Sequence, residues 1–363
     1  MIVRDYSMAV SAAVPRHVEG SPLTGIRRSN PRSPRVLAGS SVLYCAVTEA
    51  RDARADEYRR LGPRQRRIQS ATTLCRGWRW SDTVDDYYPA RPRPRWEPEA
   101  PHRQLRAILE AGRPTYEATL DLFSTHRATL HAVAQHHDVN RPSAPYWANP
   151  WFSTLDAASL VGFLLSRRPA QYFEIGSGHS TKFARYAIDA GGLTTTITSI
   201  DPEPRVSIDK LCDHPIRAPL EACDLDLFRH SQPGDIVFYD GSHRVFQNSD
   251  TTVFFLEVLP RLAPGVLVHI HDIFLPCDYP AAWTARLYSE QYLLAAMLLG
   301  MTSTFRVVLP NYFVCTDPDL ELRVRELFRA PTGPDIPFRY TNPGNTPGVS
   351  FWITITGSGG AAP

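Results

Sequence analysis

An α/β fold built on a doubly wound, mostly parallel seven-stranded sheet with helices on both faces is what this sequence predicts. Three features lead there. From residue 170 onward, short apolar runs alternate with helical patterns, the signature of successive βαβ units. The first of these runs, 172–175, breaks into a Gly176-x-Gly178 turn that opens a helix. The second, 196–200, ends on Asp201.

The elements follow in chain order. Residues 1–84 show no sustained period of 2 or 3.6, only Pro/Arg/Ser clusters such as Ser29-Asn30-Pro31-Arg32-Ser33-Pro34-Arg35 and one strand-like patch at 41–47. Residues 1–95 carry 18 Arg, no Lys and 9 acids, a local charge of +9. This Arg-rich segment reads as a disordered arm, able to touch nucleic acid or anionic lipid, or as sequence upstream of the native start. Met1 and Met8 are the only methionines before Met297, so a later start would need a non-AUG codon.

Order is expected from Asp85-Asp86-Tyr87-Tyr88, and residues 85–150 read as a helical extension. Leu105, Ile108 and Leu109 are turn-spaced, and Tyr116, Leu120, Phe123, Leu130 and Val133 continue after Pro114. An aromatic connector at 145–152 holds Tyr146, Trp147 and Trp151, read as packing groups ahead of a lid. Ser153 then caps a helix with Leu155, Ala158, Val161, Leu164 and Leu165 on one side. The main domain spans 151–357. Its strands are expected at 172–175, 196–200, 215–218, 235–239, 265–270, 305–309 and 350–356, with helices at 180–190, 250–262, 288–299 and 318–329.

Composition narrows the function. Residues 96–363 carry 21 basic and 28 acidic side chains, for a charge of −7, so this part has no bulk attraction to phosphate backbones and argues against a nucleic-acid substrate. Lysine occurs only at 182 and 210; with 32 prolines, that bias reflects GC-rich coding. Six cysteines form no C-x-x-C pair and read as reduced thiols of a cytoplasmic protein. No apolar run approaches the ~20 residues of a membrane span, and the N-terminus makes a poor secretory signal.

In an open α/β sheet, ligands sit beyond the carboxyl ends of the strands. Four such ends are polar here: Glu174, Asp201, Asp240-Gly241-Ser242-His243 and His271-Asp272. Gly176 and Gly178 let a backbone approach a ligand, with helix N–H groups facing it. A dinucleotide fingerprint wants a third small residue at 181, where this chain has Thr181. An acid before the glycine turn and another at the second strand end suit a ligand with a cationic amino-acid end and a ribose. S-adenosylmethionine answers that description better than a dinucleotide.

On these residues, 145–356 resembles a Rossmann-like class I S-adenosylmethionine-dependent methyltransferase of the small-molecule branch. The likeness rests on Glu174-x-Gly176-x-Gly178, on Asp201, on Asp240 within Phe238-Tyr239-Asp240-Gly241-Ser242-His243, and on Val268-His269-Ile270-His271-Asp272-Ile273-Phe274. It implies that the strand at Phe351-Trp352-Ile353 is the antiparallel hairpin strand near the C-terminus. It further implies a glycine turn of Gly176, Ser177 and Gly178 under the methionine part of the cofactor, and Asp201 on both ribose hydroxyls. Glu174 would hold the amino end, directly or through water, and Asp240 would also border the cofactor. An acid after the third strand meets the adenine in that family. Here only Glu221 is offered, one position off register.

Two mechanisms suit transfer to a small polar acceptor, through a hydroxyl oxygen. In one, His243 or His271 is the general base. In the other, Asp240 and Asp272 bind Mg²⁺, which acidifies the acceptor, with His271 or Asp250 as the nearest third ligand. A strand-end Asp can equally cap its own turn, and His269 and His271, two apart on a strand, can be satisfied polar groups. Tyr288, Glu290 and Gln291 begin a helix close to these strand ends, where they could contact substrate or simply start the helix. The rival functions are an NAD(P)-dependent oxidoreductase and a binding protein that kept the fold without turnover.

Overall fold

The seven predicted strands form, with ends moved by a residue or two. They are β1 (Gln171–Ile175), β2 (Thr196–Ile200), β3 (His214–Ile216), β4 (Ile236–Tyr239), β5 (Leu267–Ile270), β6 (Phe305–Pro310) and β7 (Phe351–Ile355). The structure, a computed structural model, describes residues 92–204, 207–300, 304–338 and 348–357. The expectations for residues 1–84 and for Asp85-Asp86-Tyr87-Tyr88 fall outside the described residues.

The strands join in the order β3-β2-β1-β4-β5-β7-β6. The first five run parallel, and β7 lies antiparallel between β5 and β6. The chain winds outward from β1 to β3, then returns to start β4 on the other side of β1. That reversal opens a crevice at the carboxyl ends of β1 and β4.

Side chains alternate across this sheet, as extended backbone requires. On one face Tyr172, Phe238, His269 and Trp352 form a continuous row of ring contacts, closed by Phe163. Phe163 belongs to α4 (Thr154–Arg167), which packs beside α5 (His179–Ala190). On the other face Phe173 meets Phe228, and Tyr239 stacks on Phe254 with ring centres 4.1 Å apart. The predicted helix at 250–262 is a composite: α6 (Asp250–Val253) runs into a π turn (Phe254–Val258) and a 3₁₀ turn (Leu259–Arg261).

The helical extension forms as α1 (Arg103–Ala111), α2 (Arg113–Ser124) and the short α3 (Arg127–His131). Because α2 covers α4, every residue of α4 from Thr154 to Leu165 is buried, not the single stripe that its periodicity suggested. Beyond α7 (Glu290–Leu299), a short helix that the sequence did not announce, α8 (Asn311–Thr316), precedes α9 (Pro318–Phe328). Asp317 caps α9 by accepting from the N–H groups of Asp319 and Leu320, with Pro318 in the first turn. Among the described residues no helix is long and apolar enough to cross a membrane. Cys212, Cys223, Cys277 and Cys315 are free thiols.

Candidate active site

The crevice begins at Gly176. Its φ of +79° lies in the left-handed region, and a Cβ there would stand 1.8 Å from the carbonyl oxygen of Asp240. Only glycine lets the β1 and β4 ends approach this closely. Gly178 is different: its backbone is extended at φ 174°, and a Cβ would meet nothing within 4 Å.

Asp201 sits opposite the turn. Its Oδ2 accepts from Ser177 N–H (2.7 Å) and its Oδ1 from Glu203 N–H (2.8 Å), so the carboxylate is oriented while still lining the crevice. Glu174 behaves otherwise than expected. It is fully buried on the core side of β1, accepting from Tyr172 Oη (3.1 Å) and Thr181 Oγ1 (2.5 Å), and it does not border the cavity. Thr181 in turn accepts from Gly178 N–H at 3.1 Å. The pair braces the turn from behind, because residue 174 shares the inward face of β1 with Tyr172. Burial pushes the Glu174 carboxyl up to about 7. Glu221 does reach the cavity, and its Oε2 is buried with no hydrogen-bond partner. Such an acceptor suits a donor group of a bound ligand.

Across the sheet switch lies a cluster of two imidazoles and four carboxylates. His243 Nδ1 is 2.6 Å from Glu290 Oε1, and its Nε2 faces Asp240 (3.3 Å) and Asp272 (3.6 Å). His271 repeats the pattern with the ring turned round: Nε2 lies 3.5 Å from Asp156, while Nδ1 faces Asp240 (3.5 Å) and Asp272 (3.4 Å). His243 and Asp272 both adopt left-handed backbone, at φ 63° and 56°. For non-glycine residues this costs on the order of 1–2 kcal/mol each. Backbone of this kind concentrates where function needs it.

The electrostatics follow from burial and pairing. Burial alone would lower His243, but Glu290, Asp240 and Asp272 outweigh it and hold the imidazole well above its ordinary value. Burial opposes His271 too, and Asp240, Asp272 and Asp156 carry it well above. Burial raises Asp240, yet the two facing imidazoles leave it well below the usual carboxylate range. Asp272 is raised, chiefly by burial, and burial lifts Glu290 to about 7.

Asp156 belongs to the first turn of α4. Ser153 does precede that helix as its cap residue, but its Oγ donates to Asp156 Oδ2 (2.5 Å) and caps no backbone N–H. Asn311 Nδ2 and the N–H groups of Val349 and Ser350 also converge on Asp156. Burial would raise this carboxyl; His271, Ser153 and Asn311 bring it down to about 2.

From sequence Asp156 had no role in the site, and Glu290 was weighed only as a substrate contact or a plain helix start. The available signals were the Ser153-x-x-Asp156 capping pattern, and an acid opening a helix close to the strand ends. His269, by contrast, is a core residue. It stacks on Phe238 at 3.7 Å, bonds Ser350 Oγ at 2.6 Å, and burial lowers it well below its ordinary value. Asp250 holds the Gly241-Ser242 turn through Ser242 N–H (2.7 Å) and Ser242 Oγ, leaving Asp240 free of that capping task.

The expected Mg²⁺ site does not fit this arrangement. Among the described residues no group of three or more His, Cys, Asp or Glu side chains is disposed to hold a metal ion. Imidazole nitrogens occupy the space facing Asp240 and Asp272, whereas Mg²⁺ demands near-octahedral oxygen coordination.

One cavity of about 860 Å³ joins these parts. Gly176, Ser177, Asp201 and Glu221 border one half; the mutually packed Trp283, Arg286 and Tyr288 border the other; and Trp151, Asp240, His243, His271 and Asp272 line it as well. Such a volume is at the large end for a small-molecule pocket. Trp147 is fully buried against Phe183, as expected of a packing group. Trp151 is not: it is 58% exposed and borders the cavity.

Residues 173–273 match a family described as Methyltransferase domain. The match begins inside β1 and ends just past Asp272, so it takes in each strand end named above. No curated protein matches the chain. Among solved structures, the chain is similar to the O-methyltransferase TomG from Streptomyces achromogenes in complex with SAM. Identity there is 16% over 63% of this chain and 90% of that chain, with a TM-score of 0.36. It is also similar to the O-methyltransferase from Bacillus cereus in complex with SAH, with 12% identity over 72% of this chain and 100% of that chain, at a TM-score of 0.33. The match to a methyltransferase domain thus falls on the strands that build the crevice, within a seven-stranded sheet whose order and antiparallel seventh strand are those of the Rossmann-like fold that the sequence predicted.

Proposed function

We propose that the protein transfers a methyl group from S-adenosylmethionine to a hydroxyl oxygen of a small polar acceptor. The observation that supports this reading is the single cavity, in which a glycine-and-acid half and an aromatic half share a lining of paired histidines. Gly176 and Ser177 provide the close backbone approach, Asp201 the carboxylate for the ribose, and Glu221 the unpartnered acceptor for the adenine edge. The cofactor supplies a methyl group already activated on a sulfonium.

What remains for the protein is to align the acceptor oxygen and take its proton. His243 is assigned that role. Glu290 fixes its Nδ1, which leaves Nε2 as the atom that accepts the proton, and Asp240 and Asp272 stabilise the imidazolium so formed. His271, braced by Asp156, steadies the same two carboxylates from the other side. No step is assigned to Mg²⁺. A small-molecule acceptor fits a cavity of this volume, and the free thiols accord with a cytoplasmic setting.

Calorimetric titration tests the reading. S-adenosylhomocysteine should bind the wild type and bind Asp201→Ala at least about tenfold more weakly, since each hydrogen bond to a charged group is worth roughly 1.5–3 kcal/mol. Binding of NAD(P)H in its place would convert the assignment to an oxidoreductase. A protein that binds the cofactor yet releases no S-adenosylhomocysteine with any hydroxyl acceptor would be a binding protein.

A further inference from the structure

The aromatic half of the cavity contains a cation that the methyl-transfer reading does not use. Arg286 ends a 3₁₀ turn (Ala281–Arg286) and lines the cavity. Its guanidinium carbon lies 3.8 Å over the Trp283 ring and 5.5 Å from the centre of Tyr288. Trp283 is itself fixed, 8% exposed and in edge contact with Phe274 at 5.1 Å. The guanidinium is thus pre-positioned by cation–π contact, so little side-chain freedom remains to be lost on binding.

Among the described residues no carboxylate comes within salt-bridge distance of Arg286, although 20 ion pairs with arginine or histidine form elsewhere. The nearest carboxylate influence runs to Asp272, whose ionised form Arg286 favours. A second guanidinium approaches the same spot: Arg244 Nε donates to the carbonyl oxygen of Arg286 at 3.0 Å, and Arg244 is likewise unpaired. Beside them Tyr288 is tilted against the His243 ring at 4.3 Å. One tyrosine ring therefore separates the proton acceptor from the cation.

The floor of the cavity is rich in carboxylates and would repel an anion. A forked cation held on its far wall reverses that preference at one place only, in a geometry suited to two oxygens. Resting on the methyl-transfer reading, we propose that the acceptor is a flat hydroxy compound bearing an oxyanion. The anionic group pairs with Arg286, the ring lies against Trp283 and Tyr288, and the hydroxyl points toward His243. A carboxylate and a phosphate share this chemistry.

The experiment measures binding of 4-hydroxybenzoate, 4-hydroxyphenyl phosphate and neutral 4-hydroxybenzamide to the full-length protein loaded with S-adenosylhomocysteine. The acid or the phosphate should bind at least about tenfold more tightly than the amide. Arg286→Gln should erase that preference while leaving S-adenosylhomocysteine affinity unchanged, which also shows that the variant is folded. Arg286→Lys should retain part of it. Equal affinity for the anions and the amide, an unaffected preference in Arg286→Gln, or no binding of either anion overturns the inference. Failure of S-adenosylhomocysteine to bind would strike the methyl-transfer reading instead. Anion-over-amide selectivity measured without it would still decide the Arg286 subsite.

Discussion

Replacing Asp156 with asparagine probes how the site is held together. The carboxylate is fully buried and receives hydrogen bonds from Ser153 Oγ, Asn311 Nδ2, Val349 N–H and Ser350 N–H, with His271 Nε2 at 3.5 Å. Asparagine keeps the shape but turns one acceptor oxygen into a donor, which then confronts donors. A depression from the ordinary 3.8 to about 2 corresponds to about 2 kcal/mol of stability. Loss of hydrogen bonds to a buried charge gives a similar figure, roughly 1.5–3 kcal/mol. The sign is fixed by linkage. The folded carboxyl is the more acidic, so its contribution is fully present above the unfolded value of 3.8 and fades as pH falls toward 2. Urea unfolding should therefore show Asp156→Asn less stable than wild type by about 2 kcal/mol at pH 7. The gap should narrow as pH falls below about 4. A variant within about 0.5 kcal/mol of wild type at pH 7, or a gap that persists undiminished in acid, would refute the reasoning.

Further outcomes follow from the same geometry. Gly176→Ala meets the Asp240 carbonyl and a φ of +79°, a backbone cost of about 1–2 kcal/mol before any clash; it should lower the urea midpoint and abolish S-adenosylhomocysteine binding, and normal values for both would show the close approach to be dispensable. His243 must be neutral to accept a proton and its imidazole is held above the ordinary value, so kcat/KM should fall as pH drops through an apparent pKa above that value. His243→Gln should cut kcat by roughly 10²- to 10⁴-fold and flatten that limb; a profile unchanged in the variant would move the role to another group. Exhaustive chelation should leave turnover within about twofold, and a loss restored by Mg²⁺ would return Asp240 and Asp272 to the status of ligands.

Much of the frame was legible because it depends on local pattern. Apolar runs of four to six residues separated by helical periods determine a parallel sheet, and Gly176 and Asp201 mark strand ends by residue type alone. At those ends the sequence singled out Asp240, His243, His271 and Asp272, and the structure brings the four together. What escaped depends on distance along the chain. Glu290 reaches His243 across 47 positions, and Asp156 collects partners more than 150 residues away. No periodicity encodes such meetings. Glu174 misled for a related reason. Its place before the glycine turn suggested the ligand, but strand alternation turns it inward, where Tyr172 and Thr181 receive it. The π turn at Phe254–Val258 likewise has no compositional mark.

The late strand β7 has a consequence for how the enzyme comes into being. It enters between β5 and β6, and the residues leading into it bond backward: Val349 O accepts from Ile273 N–H at 2.9 Å, and Ser350 Oγ meets His269. The segment through β6 contains the parallel strands and both histidines of the pocket. It nonetheless leaves Asp156 without two of the amides that orient it. Orientation of Asp156, and through it of His271, thus waits on β7 taking its place in the sheet.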